Sequence, residues 1–289
     1  MFKISTVPSN SLPAALAIVF DDIAPDERLH RVQTVYEQSD VPGLFVAIRR
    51  DEIIGAIYSQ LRPDKTLLLW PPGLVSEDAS VRAALYHRID HYAEEVGASP
   101  IIVFVENRPR EELEAAGFEY VSEMLSLVAD EVTFPLEWNS GRLSFISGPL
   151  ESVLENMTPL FERTFEKTND FPKLVGIVPT ASILQSYCED SGYQPELWFH
   201  IRENEQEIGC LILADHAEFG QIELVYMGLF PEHRGKKFAV QIVQFTLWIA
   251  KQLGRRMVTV SVDAQNPAAV KAYNRCGFRR WNRKCLYVK

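Results

Sequence analysis

The sequence predicts an α/β or α+β layer protein made of two tandem copies, each a strand-rich sheet with helices on both sides. Three observations carry this. At 289 residues the chain has room for about two domains of ordinary size. One ordered series of strand, hairpin, helix and Gly-Phe signals occurs twice, and its offset drifts only from 154 residues (Gly55 to Gly209) to 160 (Gly117 to Gly277). The stretch 221–250 changes period, from a strand-like apolar run to helical spacing, across a short cationic turn.

In the first half, residues 2–7 alternate like a strand that Pro8 ends, and 12–20 and 26–38 have helical patterning. Residues 44–49 and 53–60 form a hairpin around Arg50-Asp51-Glu52, with Gly55 in the second arm. A short strand at 67–70, a helix at 80–96, a buried-type strand at 100–105, a helix at 110–116 closed by Gly117 and strands at 118–130 follow. The second half repeats the order. A strand at 143–147 precedes Pro149, residues 187–191 echo 36–40, and a hairpin at 198–214 carries Gly209 where the first has Gly55. Val225-Tyr226-Met227-Gly228-Leu229 echoes Trp70-Pro71-Pro72-Gly73-Leu74, and helix 238–253 and strand 257–262 echo 81–96 and 101–105. The Pro/Gly/Ser-bearing segment 134–141 is the expected boundary, giving domains 1–136 and 142–289.

Composition limits the functions open to the chain. With 47% hydrophobic and 11% aromatic residues it can bury true cores, and no segment reads as disordered. Residues 1–140 hold 11 Lys+Arg against 23 Asp+Glu, and the remainder 18 against 16. A nucleic-acid partner wants a broad basic face, so none is expected. Cys188, Cys210, Cys276 and Cys285 lack CxxC spacing and read as thiols of a reduced compartment, with no metal site. No apolar run reaches ~18–20 residues and the N-terminus has no signal core, so a cytoplasmic protein with no membrane partner is expected, monomeric or homodimeric.

The sharpest local signal lies in 221–250. A strand ends at Pro231, His233-Arg234-Gly235-Lys236-Lys237 turns, and Phe238, Ile242, Phe245 and Ile249 mark a helix. Unpaired N–H groups and the positive end of a helix dipole meet cationic side chains there, which makes an anion site suited to a pyrophosphate. The first copy has the same shell at 67–96, but its turn carries Glu77 and Asp78 and no basic group. It is the shell without the anion site.

The segment Phe230-Pro231-Glu232-His233-Arg234-Gly235-Lys236-Lys237-Phe238-Ala239 resembles the acyl-CoA pyrophosphate loop of the GCN5-related N-acetyltransferase (GNAT) superfamily, written [QR]-x-x-G-x-[GA]. Asn266, Tyr273 and Gly277-Phe278 are similar to its later motif. One departure stands out: Lys237 occupies the loop's central glycine.

The resemblance implies two GNAT-like domains, each a mixed, mostly antiparallel sheet flanked by helices, the first degenerate and the second binding acetyl-CoA. It implies transfer of an acetyl group to a primary amine of a small molecule or peptide, by direct attack. Met227, Gly228, Leu229, Arg234, Gly235, Lys236, Lys237, Phe238, Ala239, Asn266 and Tyr273 are the implied acetyl-CoA contacts, Tyr273 the general acid and Glu223 the general base. The strand carrying Glu223 is expected to splay from 257–262, with the Leu229 N–H facing the thioester carbonyl. The segment 162–171, with Glu162, Glu166 and Asp170 among aromatics, is the implied lining for an amine-bearing acceptor.

Plainer readings stand beside these. Tyr273 also reads as a core residue of its helix, Asn266-Pro267 as a helix cap, Glu223 as a strand-end glutamate and Gly228 as the mark of a bulge. His200, His216 and His233 read as loop histidines without partners, and Cys276 as packing. A non-catalytic acyl-CoA sensor and a protein-contact scaffold are the competing functions, the first favoured if Lys237 blocks the thioester from seating. The tandem layout with a silent first copy also resembles the mycothiol synthases.

Overall fold

Period-2 alternation sorts the strands' side chains onto two faces. In β2 (Leu44–Arg49), Phe45 and Ala47 join one apolar cluster while Leu44 and Val46 join another. In β9 (Gln206–His216), Leu211 and Leu213 go one way and Cys210 and Ile212 the other. Each sheet is therefore covered on both sides. The computed structural model describes residues 1–21, 32, 41–106, 110–139, 141–147, 153–189 and 192–289. The expected helix at 26–38 (apart from Val32), the echo of 36–40 and Pro149 lie outside them.

Packing divides the chain into Met1–Tyr120 with Cys285–Lys289, and Val121–Lys284. The first unit orders its strands β1 (Lys3–Thr6), β2, β3 (Glu52–Leu61), β4 (Leu67–Leu74), β5 (Ile101–Val105), then the end of β12 (Arg279–Val288). All of these pairs are antiparallel except β4 with β5. One face holds α1 (Leu12–Val19), and the other α2 (Ala79–Val96) and α3 (Arg110–Ala115), through Leu16 and Val19 on one side and Leu85, Ile89 and Leu113 on the other.

The second unit orders β6 (Glu119–Asp130), β11 (Met257–Asp263), β10 (Gln221–Leu229), β9, β8 (Tyr193–Glu203) and β7 (Leu143–Ser147). Here too one pair is parallel, β10 with β11, and the others are antiparallel. Helices α4 (Val153–Phe165) and α5 (Thr180–Cys188) bury Met157, Phe161 and Leu184 on one face. Helices α6 (Phe238–Gln252) and α7 (Pro267–Arg275) bury Phe238, Ile242, Phe245 and Tyr273 on the other. This is the mixed, mostly antiparallel, helix-flanked architecture expected, twice over. Both β-hairpins turn on two residues of positive φ, Arg50-Asp51 and Asn204-Glu205, the twist that suits a two-residue loop.

Two features differ from the expectation. The strand expected at 67–70 runs on to Leu74 through Pro71 and Pro72. It tolerates both prolines because its pairing with β5 stops at Leu69 and its register with β3 shifts between Tyr58 and Ala56, which leaves no ladder bond for the missing N–H groups. Packing also cuts the chain at Tyr120 and Cys285 rather than within 134–141, because β6 pairs along β11 from Met124 to Asp130 and residues 285–288 pair along β5. Among the described residues no helix is long and apolar enough to cross a membrane.

Candidate acyl-CoA cleft

β10 and β11 pair only from Gln221–Met257 to Leu224–Val260. Beyond that point a register shift at Val225 bends β10, and its remaining residues stay paired to β9 alone. The opened edge lines a cleft of about 610 Å³ within the second unit, together with Thr164, Asp170, the turn before α6, and α7. Phe230 N donates to Ile208 O on the β9 side, so the N–H of Leu229, and by the same alternation that of Met227, points into the open edge. The splay is as expected. The bulge sits at Val225, three residues before Gly228. What Gly228 provides is room: a Cβ there would lie 2.5 Å from Thr164 Cβ.

The turn has the shape a glycine would give it. Lys237 adopts φ +67°, ψ 11° and so keeps the left-handed backbone of the position it fills, at a cost of about 1 kcal/mol. No side chain caps α6, and no backbone bond among the described residues takes up the N–H of Gly235, Lys236 or Lys237. A cluster of free N–H groups at a helix N-terminus beside cations is the donor set a pyrophosphate needs. Lys237, Phe238, Ala239 and Gly235 line the cleft; Lys236 does not.

Arg234 does something the sequence did not reveal. Its Nε donates to Leu229 O (3.0 Å), its Nη1 to Lys167 O (2.7 Å) and its Nη2 to Thr164 O (2.9 Å). Three of its five N–H bonds thus tie the turn to β10 and to the end of α4.

Tyr273 lines the cleft from α7, almost fully buried, with its ring against Phe278 at 5.4 Å. Burial first, and then the charge of Asp170, pushes its hydroxyl well above the usual phenol range, so it is a proton donor across neutral pH. Asn266 caps α7, accepting from Ala269 N at 3.2 Å with Pro267 at the first helical position, and also lines the cleft. Glu223 stands apart: its carboxylate meets His216 Nε2 at 3.3 Å, and it is not part of the lining.

The family model for the acetyltransferase (GNAT) family matches residues 157–278, the part of the chain that carries this cleft. Over these residues the chain is similar to the GNAT family. Over 96 residues it is 28% identical to N-alpha-acetyltransferase 30 of Schizosaccharomyces pombe, a match spanning 32% of this chain and 64% of that relative's length. A GCN5-related N-acetyltransferase from Sphaerobacter thermophilus superposes with a TM-score of 0.68 at 17% identity, over 100% of this chain and 95% of that one. A tandem GNAT protein from the clavulanic acid biosynthesis pathway does so at 0.56 and 11%, over 100% and 98%. At these identities the structural likeness is one of fold.

The GNAT-like first unit has the same splay, since β4 and β5 pair only from Leu67 to Leu69. Three details close what the second leaves open. Pro72 stands where Met227 does and has no N–H. The carbonyl of Ile18 in α1 lies 1.8 Å from where a Gly73 Cβ would be. The N-terminus of α2 is already filled: Asp78 accepts from Ser80 N and Val81 N and pairs with Arg49 at 2.8 Å. The Ser80 hydroxyl, Arg49 and these amides hold its carboxyl well below the usual range.

The second unit also holds residues that sequence reasoning missed. Lys271 and Arg275, one helical turn apart on α7, line the cleft with no motif to announce them. Asp263, at the end of β11, is fully buried: it accepts from Ser122 Oγ, from Gln265 N at 2.8 Å and from Phe171 N at 3.0 Å. Tyr226 meets Thr164 Oγ1 at 2.6 Å, and because that hydroxyl donates to Phe161 O, Tyr226 is the donor. The histidines expected without partners each face a carboxylate, His200 with Glu207, His216 with Glu223, and the buried His233 with Glu203. Cys276 is a packing residue, its Sγ 3.7 Å from Val240 O.

Proposed function

We propose that the chain is an N-acetyltransferase that takes its acetyl group from acetyl-CoA and passes it to a primary amine of a small molecule or peptide by direct attack. The observation that carries this reading is the open edge of β10 between an uncapped α6 and the buried hydroxyl of Tyr273. Bound there, the thioester supplies an activated acyl carbon.

The free N–H groups of the turn, with Lys237, Lys271 and Arg275 nearby, hold the pyrophosphate end. Met227 and Leu229 offer backbone donors along the open edge, and Leu229 N–H takes the developing charge on the carbonyl oxygen. Tyr273 delivers the proton to the leaving sulfur. Gly228 sets the depth of the edge by letting α4 close on it, and Arg234 fixes the turn. The described lining residues include no cysteine and no serine–histidine pair to take up the acetyl group, which favours direct transfer. The name of the yeast relative fits an amine acceptor. The four cysteines are free thiols, in keeping with a cytoplasmic setting.

The left-handed backbone of Lys237 favours catalysis over the sensor reading, because the loop keeps the path a glycine would give it. The first unit supports the fold without binding acetyl-CoA. The test is a panel of amines and N-terminal peptides assayed by free-thiol release, with the melting shift given by acetyl-CoA measured in parallel. Tight binding without thiol release from any acceptor supports the sensor, and the absence of any melting shift removes both readings.

A further inference from the structure

We propose that Asp170 is the base that removes the ammonium proton of the acceptor amine, held in place for this by Asp263 and Asn266. The proposal rests on the acyl-transfer reading above and names the proton path within the same cleft.

The cleft itself narrows the choice. Among its described lining residues Asp170 is the one carboxylate, and no histidine accompanies it. Glu223 is outside the lining and engaged by His216. Asp263 is fully buried, lies outside the lining, and has both oxygens engaged by donors of the protein. The remaining charged groups of the lining are cations.

Asp170 is also fixed. Its Oδ1 accepts from Asp263 N at 3.2 Å, and the side chain of Asn266 donates to it as well. Its own N–H donates to Thr168 Oγ1 at 3.0 Å, and the next amide, that of Phe171, is bound by Asp263 Oδ2. The loop is thereby tied to the end of β11 at Asp170 and at Phe171, and the carboxylate holds its orientation without a substrate. The groups facing it are Asp263 from β11, Asn266 and Tyr273 from α7, and Tyr226 from β10. Burial, and after it the Asp263 charge, raises its affinity for protons against the hydrogen bonds that oppose them. The Asp170 charge in turn adds to the burial that keeps Tyr273 and Tyr226 protonated. One carboxylate that takes a proton faces one phenol that keeps its own.

The step balances as follows. Asp170 takes one proton from the ammonium group, and the freed nitrogen pair forms the C–N bond to the acetyl carbon. The C–S bond breaks with its pair on sulfur, which receives the Tyr273 proton. The second nitrogen proton restores Tyr273, and the one on Asp170 leaves to solvent, a net release of one proton.

The test uses the full chain with acetyl-CoA and an amine that the wild type acetylates. Asp170→Asn is expected to lower kcat/KM at neutral pH by roughly 10²- to 10³-fold and to abolish the acid limb of its pH profile. The acetyl-CoA melting shift should remain, which also establishes that the variant is folded, and Asp170→Glu should recover part of the rate. In the ligand-free protein, the carbon-13 signal of the Asp170 carboxyl should titrate above the ordinary value of about 3.9. An unchanged profile in Asp170→Asn, an ordinary titration, or loss of the acid limb in Glu223→Gln instead would overturn the assignment while leaving acetyl transfer standing. A wild type that acetylates nothing takes both down.

Discussion

Arg234 Nη2 donates to the backbone oxygen of Thr164 at 2.9 Å, joining the turn before α6 to the C-terminal end of the helix that walls the cleft. Cations are favoured at helix C-termini, where carbonyls lack partners, and the neighbouring bond to Lys167 O extends the same contact. The motif's first residue therefore shapes the loop as well as charging it. Arg234→Lys should lower stability by about 2 kcal/mol, because one ammonium cannot reach three carbonyls. Thermal melting of the ligand-free chain checks this, and an unchanged Tm would mean that the side chain serves the ligand alone.

Lys237→Gly separates the two effects of that substitution on the motif. Removing the side chain relieves about 1 kcal/mol of left-handed strain, partly offset by the added freedom of the unfolded chain, so Tm should rise slightly or hold. Acetyl-CoA affinity should fall at low salt, with the deficit shrinking as salt is raised, if the ammonium contributes charge to the phosphates. Calorimetric titration at two ionic strengths gives the answer.

Tyr273→Phe keeps the ring against Phe278 and removes only the hydroxyl. Turnover should drop by roughly 10²-fold, while the melting shift with acetyl-CoA is retained. Equal loss of binding and rate would return Tyr273 to a packing role.

The pH dependence of stability gives a check that needs no substrate. A carboxyl whose folded pKa is raised, as burial raises that of Asp170, binds its proton more tightly folded than unfolded. Stability then falls as pH rises from the unfolded pKa to the folded one and stays lower above it. Asp170→Asn should therefore raise Tm at pH 7–8 and gain nothing at pH 3, a trade of stability for function. Equal shifts at both pH values would mean that the proton is not involved.

Much of the fold could be read directly because its signals are local. Alternation in β2 and β9, the positive-φ hairpin turns and the strand-to-helix switch before Phe238 are all set within a few residues. The candidate site was legible where it is contiguous, from Met227 to Ala239, and at the Asn266–Tyr273 helix. What escaped is long-range. Asp170 and Asp263 lie 93 residues apart in sequence and meet only because the loop after α4 packs on the end of β11. The contact of Glu223 with His216 could not be read either, because a strand pattern does not say which side chain a neighbour will engage. The carbonyl partners of Arg234 carry no sequence signature, so its hold on the turn could not be read.

Two strands lie on the far side of the boundary expected at 134–141 from the sheet they complete: residues 285–288, which pair along β5 of the first unit, and β6, which pairs along β11 of the second. A gene cut at the repeat boundary would strip the first half of its closing strand and leave β11 in the second without a partner along Met124–Asp130. Deleting the first 140 residues would therefore remove a strand that the second sheet uses, and the two repeats are not independent cassettes of sequence.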